Sequence, residues 1–421
     1  FFKGSLDKLG VQAELVHTGA YKTYSDTFTR KQMSAEHREM VNWLLDGLYG
    51  HALQAVAQAR GKTVEQARAL IEAGPYEAPQ ARAAGLVDQL LYEDQVYELL
   101  RNQDRRKRFH KMGADRYLRV PPEEAGLKEG PRVAVVYAVG SIVEGEDGID
   151  PLSGERSMGS ESMARLLRQV RDDTSLKAVV LRIDSPGGDA LASDSIWRAL
   201  TELRRQKPVV ISMSDVAGSG GYYIAATGDP IVADPGTLTA SIGVVYGKLD
   251  FRGLYDKLGV TKDIVARGPN ATLDSEYLPY TPEQKRLIER FAQDMYQEFR
   301  RKVAAARKMT VEQVDGLARG RVFTGTQARQ KGLVDEVGGL DRAVELAKLK
   351  AGIGKDQRVQ LVAFPRPRSL FQIVLESSRS AGMQPPWVRP ALAEPLRALA
   401  LARPFHSGRP LALMPFRLEF K

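Results

Sequence analysis

The sequence predicts an α/β fold laid down twice in tandem, each copy built on a mostly parallel sheet. Three observations predict it. Short β-branched runs alternate with helical patterns over residues 131–350, as strands joined by crossover helices do. Three loops rich in glycine and serine lie at the ends of those runs. And an early stretch of the chain recurs further along it.

The recurrence fixes the organisation. Phe2-Lys-Gly-Ser-Leu-Asp-Lys-Leu-Gly-Val11 matches Phe251-Arg-Gly-Leu-Tyr-Asp-Lys-Leu-Gly-Val260 at seven of ten positions. Arg60 to Asp88 matches Arg307 to Asp335 without a gap at 13 of 29 positions. Such agreement marks a duplication. Residues 1–97 read as the C-terminal half of a first repeat, whose front half is missing. Residues 98–130 read as a basic linker, 131–350 as a complete second repeat, and 351–421 as an extension rich in Pro, Arg and Leu. A half repeat is expected to leave the strand Ala13–His17 without partners, and so to expose an aggregation-prone edge.

In chain order, Ala13–His17 reads as a strand and Ser34–Gln58 as a long amphipathic helix. The linker carries the run Arg105-Arg-Lys-Arg108, which suits a solvated segment or an anionic membrane surface. No recognition motif accompanies it, which argues against nucleic acid as a partner. Strands are then expected at Val133–Tyr137, Ala178–Ile183, Val209–Met213 and Ile242–Tyr246. Helices are expected at Ser160–Arg171, Ala190–Arg205 and Gly220–Thr227, and a long one at Thr281–Lys308, the counterpart of Ser34–Gln58. The loops Asp184-Ser-Pro-Gly-Gly188, Gly218-Ser-Gly-Gly221 and Ala240-Ser-Ile-Gly243 fall at strand ends, where parallel α/β sheets gather their sites.

The 421 residues carry 43% apolar and 27% charged residues and a net charge of +9, an ordinary globular balance large enough for a sizeable core. No cysteine is present, which excludes disulfides and cysteine metal sites. No apolar run is long enough to cross a bilayer as a helix.

Ser219, bracketed by glycines at the start of a helix, has the setting of a nucleophile. It needs a base. The five histidines His17, His37, His51, His110 and His406 all lie outside the core of the second repeat. A desolvated lysine is the alternative, because burial lowers its pKa toward neutrality. The repeats differ where this matters: Lys22 of the first aligns with Ala271 of the second. Gly187 and Gly188 can present backbone N–H groups to a developing negative charge, and Ser241 can orient an amine. Phosphate binding is disfavoured, since neither the Walker pattern nor G-x-G-x-x-G is present.

Asp184-Ser-Pro-Gly-Gly188, Gly218-Ser-Gly-Gly-Tyr-Tyr223, Leu238-Thr-Ala-Ser-Ile-Gly243, Gly320-Arg-Val-Phe-Thr-Gly325 and Gly332-Leu-Val-Asp-Glu-Val-Gly338 follow one another in this order. Together they resemble the bacterial signal peptide peptidase A family of serine proteases. Gly19-Ala-Tyr-Lys22, with Phe28-Thr-Arg30 and Met33-Ser34, resembles the lysine segment of that family's long, duplicated form. The resemblance covers about residues 1–95 and 131–350. It implies tandem Clp-protease/crotonase-like repeats and a Ser–Lys dyad, with Ser219 as nucleophile and Lys22 as general base. It implies that Ser241 positions the lysine and that the N–H groups of Gly188 and Gly220 form the oxyanion hole. It further implies cleavage of released signal peptides and other hydrophobic peptides, a homotetramer, and a place on the periplasmic face of a bacterial inner membrane, with an anchor upstream. No metal or organic cofactor is implied. Asp184 departs from the Asn that family members often carry there. Two other classes stay open: a crotonase-type acyl-CoA enzyme and an inactive peptide-binding scaffold.

Overall fold

The computed structural model describes residues 1–103, 111–117, 120, 130–149, 155–365 and 410–414. The basic run at Arg105–Arg108 and most of the 351–421 extension lie outside these. The chain forms two compact units, Phe1–Leu45 with Pro131–Lys421, and Asp46–Gly130. These units cut the chain differently from the repeat.

The larger unit is built on an eight-stranded sheet. Its main order is Val322–Thr324, Leu238–Ala240, Val209–Gly218, Leu176–Ser185, Arg132–Val139 and Gln360–Phe364. All these neighbours run parallel except Val322–Thr324 against Leu238–Ala240. The central strands are buried on both faces, which is why they read as continuous apolar runs. Alternate residues point opposite ways. Val133, Ala178, Val180 and Val210 pack on Ala343 and Ala347 of helix Leu340–Lys350. Ala134, Val179, Leu181 and Ile211 join a larger core with Leu167, Ile196, Leu200, Ile288 and Phe299 from helices Ser160–Asp172, Ala190–Arg204 and Pro282–Arg307. The parallel arrangement brings the C-terminal ends of three adjacent strands together, and the three glycine- and serine-rich loops with them.

A seven-stranded sheet lies beside those loops, in the order Gln12–His17, Val245–Asp250, Leu411–Leu413, Gly187–Asp189, Ser141–Val143, Arg156–Gly159 and Gly148–Ile149. Two expectations are corrected here. Ala13–His17 is not left without a partner, because Gln12–His17 pairs antiparallel along its whole length with Val245–Asp250. And the strand expected at Ile242–Tyr246 begins only at Val245. Ala240 and Ser241 hold positive φ, 68° and 54°. The carbonyls of Ile242 and Val244 accept from Gly320 and Thr18 instead of from a strand.

The duplication is visible as structure. Helices Ala35–Arg60 and Pro282–Arg307 are both 26 residues long. Each is followed by a short helix with a Thr/Gln capping box, Thr63 with Gln66 and Thr310 with Gln313. Helices Lys3–Leu9 and Arg252–Leu258 both end in a left-handed glycine, Gly10 and Gly259. In the smaller unit Leu53, Ala57 and Ala67 form a separate small core.

Candidate active site

Ser219 sits on the turn between strand Val209–Gly218 and helix Gly220–Ala225, at φ 54° and ψ −112°. A non-glycine residue there costs about 1–3 kcal/mol, which its surroundings must offset. Its N–H donates to the Ala240 carbonyl (2.7 Å) and its carbonyl accepts from Tyr223 N–H (2.8 Å). The flanking glycines are required by crowding. A methyl on Gly220 would lie 2.6 Å from Ser193 Oγ, and one on Gly221 would lie 2.7 Å from the Ser185 carbonyl oxygen.

Lys22 follows strand Gln12–His17 on a turn stitched to two loops of the second repeat. Thr18 N–H donates to the Val244 carbonyl (2.9 Å) and Tyr21 N–H to the Arg319 carbonyl (2.8 Å). Gly243 and Gly320 leave room for the lysine: a methyl on Gly243 would stand 3.1 Å from Lys22 Cδ, and one on Gly320 2.3 Å from Lys22 N. Lys22 Nζ then lies 2.6 Å from Ser219 Oγ, 2.9 Å from the Ser241 carbonyl oxygen and 3.0 Å from Ser241 Oγ. Lys22, Ser219 and Ser241 all have zero solvent exposure.

Burial holds the Lys22 amine well below its ordinary pKa of 10.5. The neutral amine suits these partners. Its two N–H groups can donate to the two oxygens of Ser241, and its lone pair then accepts the Ser219 hydroxyl proton. Loss of that proton leaves Ser219 Oγ a strong nucleophile.

Gly188 and Gly220 are neighbours. The position of a methyl on Gly220 falls 3.2 Å from Gly188 N and 3.1 Å from Gly187 Cα. Gly220 N–H, the first of its helix, has no acceptor within that helix by geometry. These contacts set the Gly187–Gly188 backbone against that of Gly220, beside the serine, where backbone N–H groups can serve a developing negative charge.

The chain thus brings Ser219, Lys22 and Ser241 into one hydrogen-bonded cluster, with Gly188 and Gly220 beside it. Asp184 is engaged elsewhere: its carboxylate accepts from Val216 N–H (3.3 Å), and burial and the nearby Asp215 hold its pKa above the ordinary range. His17 is exposed, its Nδ1 3.1 Å from the Gly19 carbonyl oxygen. The roles of Gly243 and Gly320 against Lys22 are absent from the sequence reading. The signal that points to Gly320 is its place at the head of the run Gly320-Arg-Val-Phe-Thr-Gly325, where the chain takes a left-handed φ of 85° two residues before the strand Val322–Thr324.

Peptidase family S49 matches residues 1–106 and 201–354. The chain is 40% identical over 389 residues to "Serine protease SPPA, chloroplastic" of Arabidopsis thaliana, covering 90% of this chain and 57% of that protein. It is 32% identical over 375 residues to "Protease 4" of Haemophilus influenzae, covering 86% of this chain and 60% of that protein. With "Protease 4" of Salmonella typhi it shares 34% identity over 369 residues, 83% of this chain and 58% of that protein. It therefore spans under two thirds of the length of these relatives.

Proposed function

The chain belongs to peptidase family S49, and from that premise we propose that it carries the reacting groups of a serine endopeptidase. In this reading the neutral Lys22 amine takes the Ser219 hydroxyl proton as Oγ attacks a peptide carbonyl. The oxyanion is received by the N–H groups of Gly188 and Gly220, each donor of this kind being worth about 3–4 kcal/mol. The C–N bond breaks as the Lys22 ammonium gives its proton to the leaving amine, which leaves an ester on Ser219. Water then gives a proton to Lys22 and attacks the ester. The tetrahedral adduct collapses, the acid leaves, and the proton returns to Ser219. Ser241 holds the amine throughout.

The observation that carries this reading is the fully buried Lys22 Nζ at 2.6 Å from Ser219 Oγ. Desolvation is the cause that lowers its pKa. For the substrate we infer hydrophobic peptides, released signal peptides among them, bound extended along the glycine-rich strand Gly187–Asp189. Action at the periplasmic face of a bacterial inner membrane, as a homotetramer, belongs to the same proposal. Among the described residues no helix is long and apolar enough to cross a membrane.

The test is turnover of an apolar peptide by the full-length protein and by Ser219→Ala and Lys22→Ala. Each substitution is expected to lower the rate by roughly six orders of magnitude. Substantial turnover by Lys22→Ala would remove the lysine from the mechanism.

A further inference from the structure

A serine that attacks peptides has to be reached by them, yet Ser219 has zero exposure. The segment Pro410–Met414 passes over the residues on either side of it. A methyl on Gly218 would lie 2.3 Å from Met414 Cγ. A methyl on Gly187 would lie 1.9 Å from the Ala412 carbonyl oxygen and 2.7 Å from Gly220 N, so that oxygen and the Gly220 amide nitrogen both lie on the Cβ side of Gly187.

The segment is held as an extended peptide is held by a sheet edge. Leu411, Ala412 and Leu413 pair antiparallel with Asp189, Gly188 and Gly187. Ala190 N–H donates to the Pro410 carbonyl (3.1 Å), and Met414 N–H to the Pro186 carbonyl (2.8 Å). On its other edge Leu411 pairs with Val245. Side chains alternate as in any strand. Leu411 and Leu413 enter an apolar cluster with Val11, Tyr24, Phe28 and Leu249. Met414 enters another with Met40, Leu44, Leu238 and Val322. Backbone pairing on both edges plus two apolar pockets is a complete peptide-binding groove, and a segment of the same chain fills it.

We propose that Pro410–Met414 is an internal occupant of the substrate groove, which holds the Ala412 carbonyl beside the amides of Gly188 and Gly220 and keeps Ser219 closed until a substrate displaces it. This rests on Ser219 being the nucleophile. The occupant is not consumed: it competes with substrate and does not acylate the enzyme.

The test compares three forms of the full-length protein: the native sequence, Leu411→Asp with Leu413→Asp, and a chain ended after Arg409. Aspartate cannot stay in the apolar cluster without a partner, so the double variant releases the segment while keeping it. Labelling of Ser219 by a fluorophosphonate and hydrolysis of an apolar peptide are followed. Both variants are expected to label roughly tenfold faster or more, because the native site is open only a fraction of the time. KM should fall with kcat little changed. The synthetic peptide Pro-Leu-Ala-Leu-Met should slow the truncated form competitively. Equal labelling of Ser219 in all three forms would overturn the proposal and leave the serine peptidase reading intact. Cleavage of the native chain at Ala412–Leu413 would make the segment a substrate and overturn it too. No labelling of Ser219 in any form, with all three folded, would instead remove the nucleophile on which both readings stand.

Discussion

A methyl group added to Gly320 would lie 2.3 Å from the backbone nitrogen of Lys22 and 2.5 Å from its Cα. The loop of one repeat thus sets the backbone of the other repeat's lysine. Gly320→Ala must therefore push the Lys22 turn away from Ser219. A misplacement of about 1 Å at such a site costs on the order of a hundredfold in rate. The left-handed φ of Gly320 adds about 1–2 kcal/mol of strain to the variant. The expected result is a folded, slightly less stable protein with about one hundredth of the native kcat. A native rate of Ser219 labelling in Gly320→Ala would show that the contact does not position the lysine.

Ser241 offers Lys22 two oxygens, one from the side chain and one from the backbone. Ser241→Ala removes only the first. A single hydrogen bond of this kind is worth about 0.5–1.5 kcal/mol, so the rate should fall by no more than about tenfold. A loss as large as that of Lys22→Ala would mean that Ser241 takes part in proton transfer directly.

In the proposed mechanism Ser219 and Lys22 act on one proton, so their losses should not add. The double variant Ser219→Ala with Lys22→Ala is expected to match Ser219→Ala within about twofold. Rates of peptide hydrolysis for the four corners of the cycle decide it. An additive double variant would separate the two residues into independent roles.

How much of this was legible in the sequence follows from which contacts are local. Ser219 announced itself through Gly218, Gly220 and Gly221, because a strained turn between a strand and a helix has a local signature. Lys22 was singled out by a comparison between repeats, since Ala271 stands at its counterpart. The central strands were legible because both their faces are buried. The start of Val245–Asp250 was not. Ile242 and Val244 look like strand residues, but contacts to Gly320 and Thr18 bend the backbone away from the ladder. Nor was the pairing of Gln12–His17, which finds its partner in the second repeat. The segment Leu411–Leu413 is three residues in a Pro-, Arg- and Leu-rich stretch, too short to carry a period, and only the sheet gives it a role.

The proposed role of the buried lysine predicts that activity depends on pH. In the proposed mechanism the neutral amine is the competent base, and its pKa in the folded protein lies well below 10.5 because of desolvation. Protonation at lower pH removes the lone pair that faces Ser219. Hydrolysis should therefore rise with pH through a single ionisation and then level. The profile of kcat/KM with an apolar peptide reports that step in the free enzyme. A profile flat from about pH 6 to 9, with chemistry limiting, would count against Lys22 as the base.

The same burial makes a statement about stability. In the unfolded chain Lys22 recovers its ordinary pKa, so between the depressed folded value and 10.5 the unfolded state binds one proton more than the folded state. Stability then rises with pH across that window, by up to about 1.4 kcal/mol for each unit of pH. Lys22→Met keeps the volume and drops the ionisation. It is expected to be inactive and yet more stable than the native protein at neutral pH. The gain in melting temperature should shrink as pH is raised toward 10.5 and the unfolded lysine loses its proton. Melting curves of both proteins at several pH values test this. A Lys22→Met protein less stable than the native one throughout, with no dependence of the difference on pH, would show that the Nζ hydrogen bonds to Ser219 and Ser241 outweigh the desolvation of the amine.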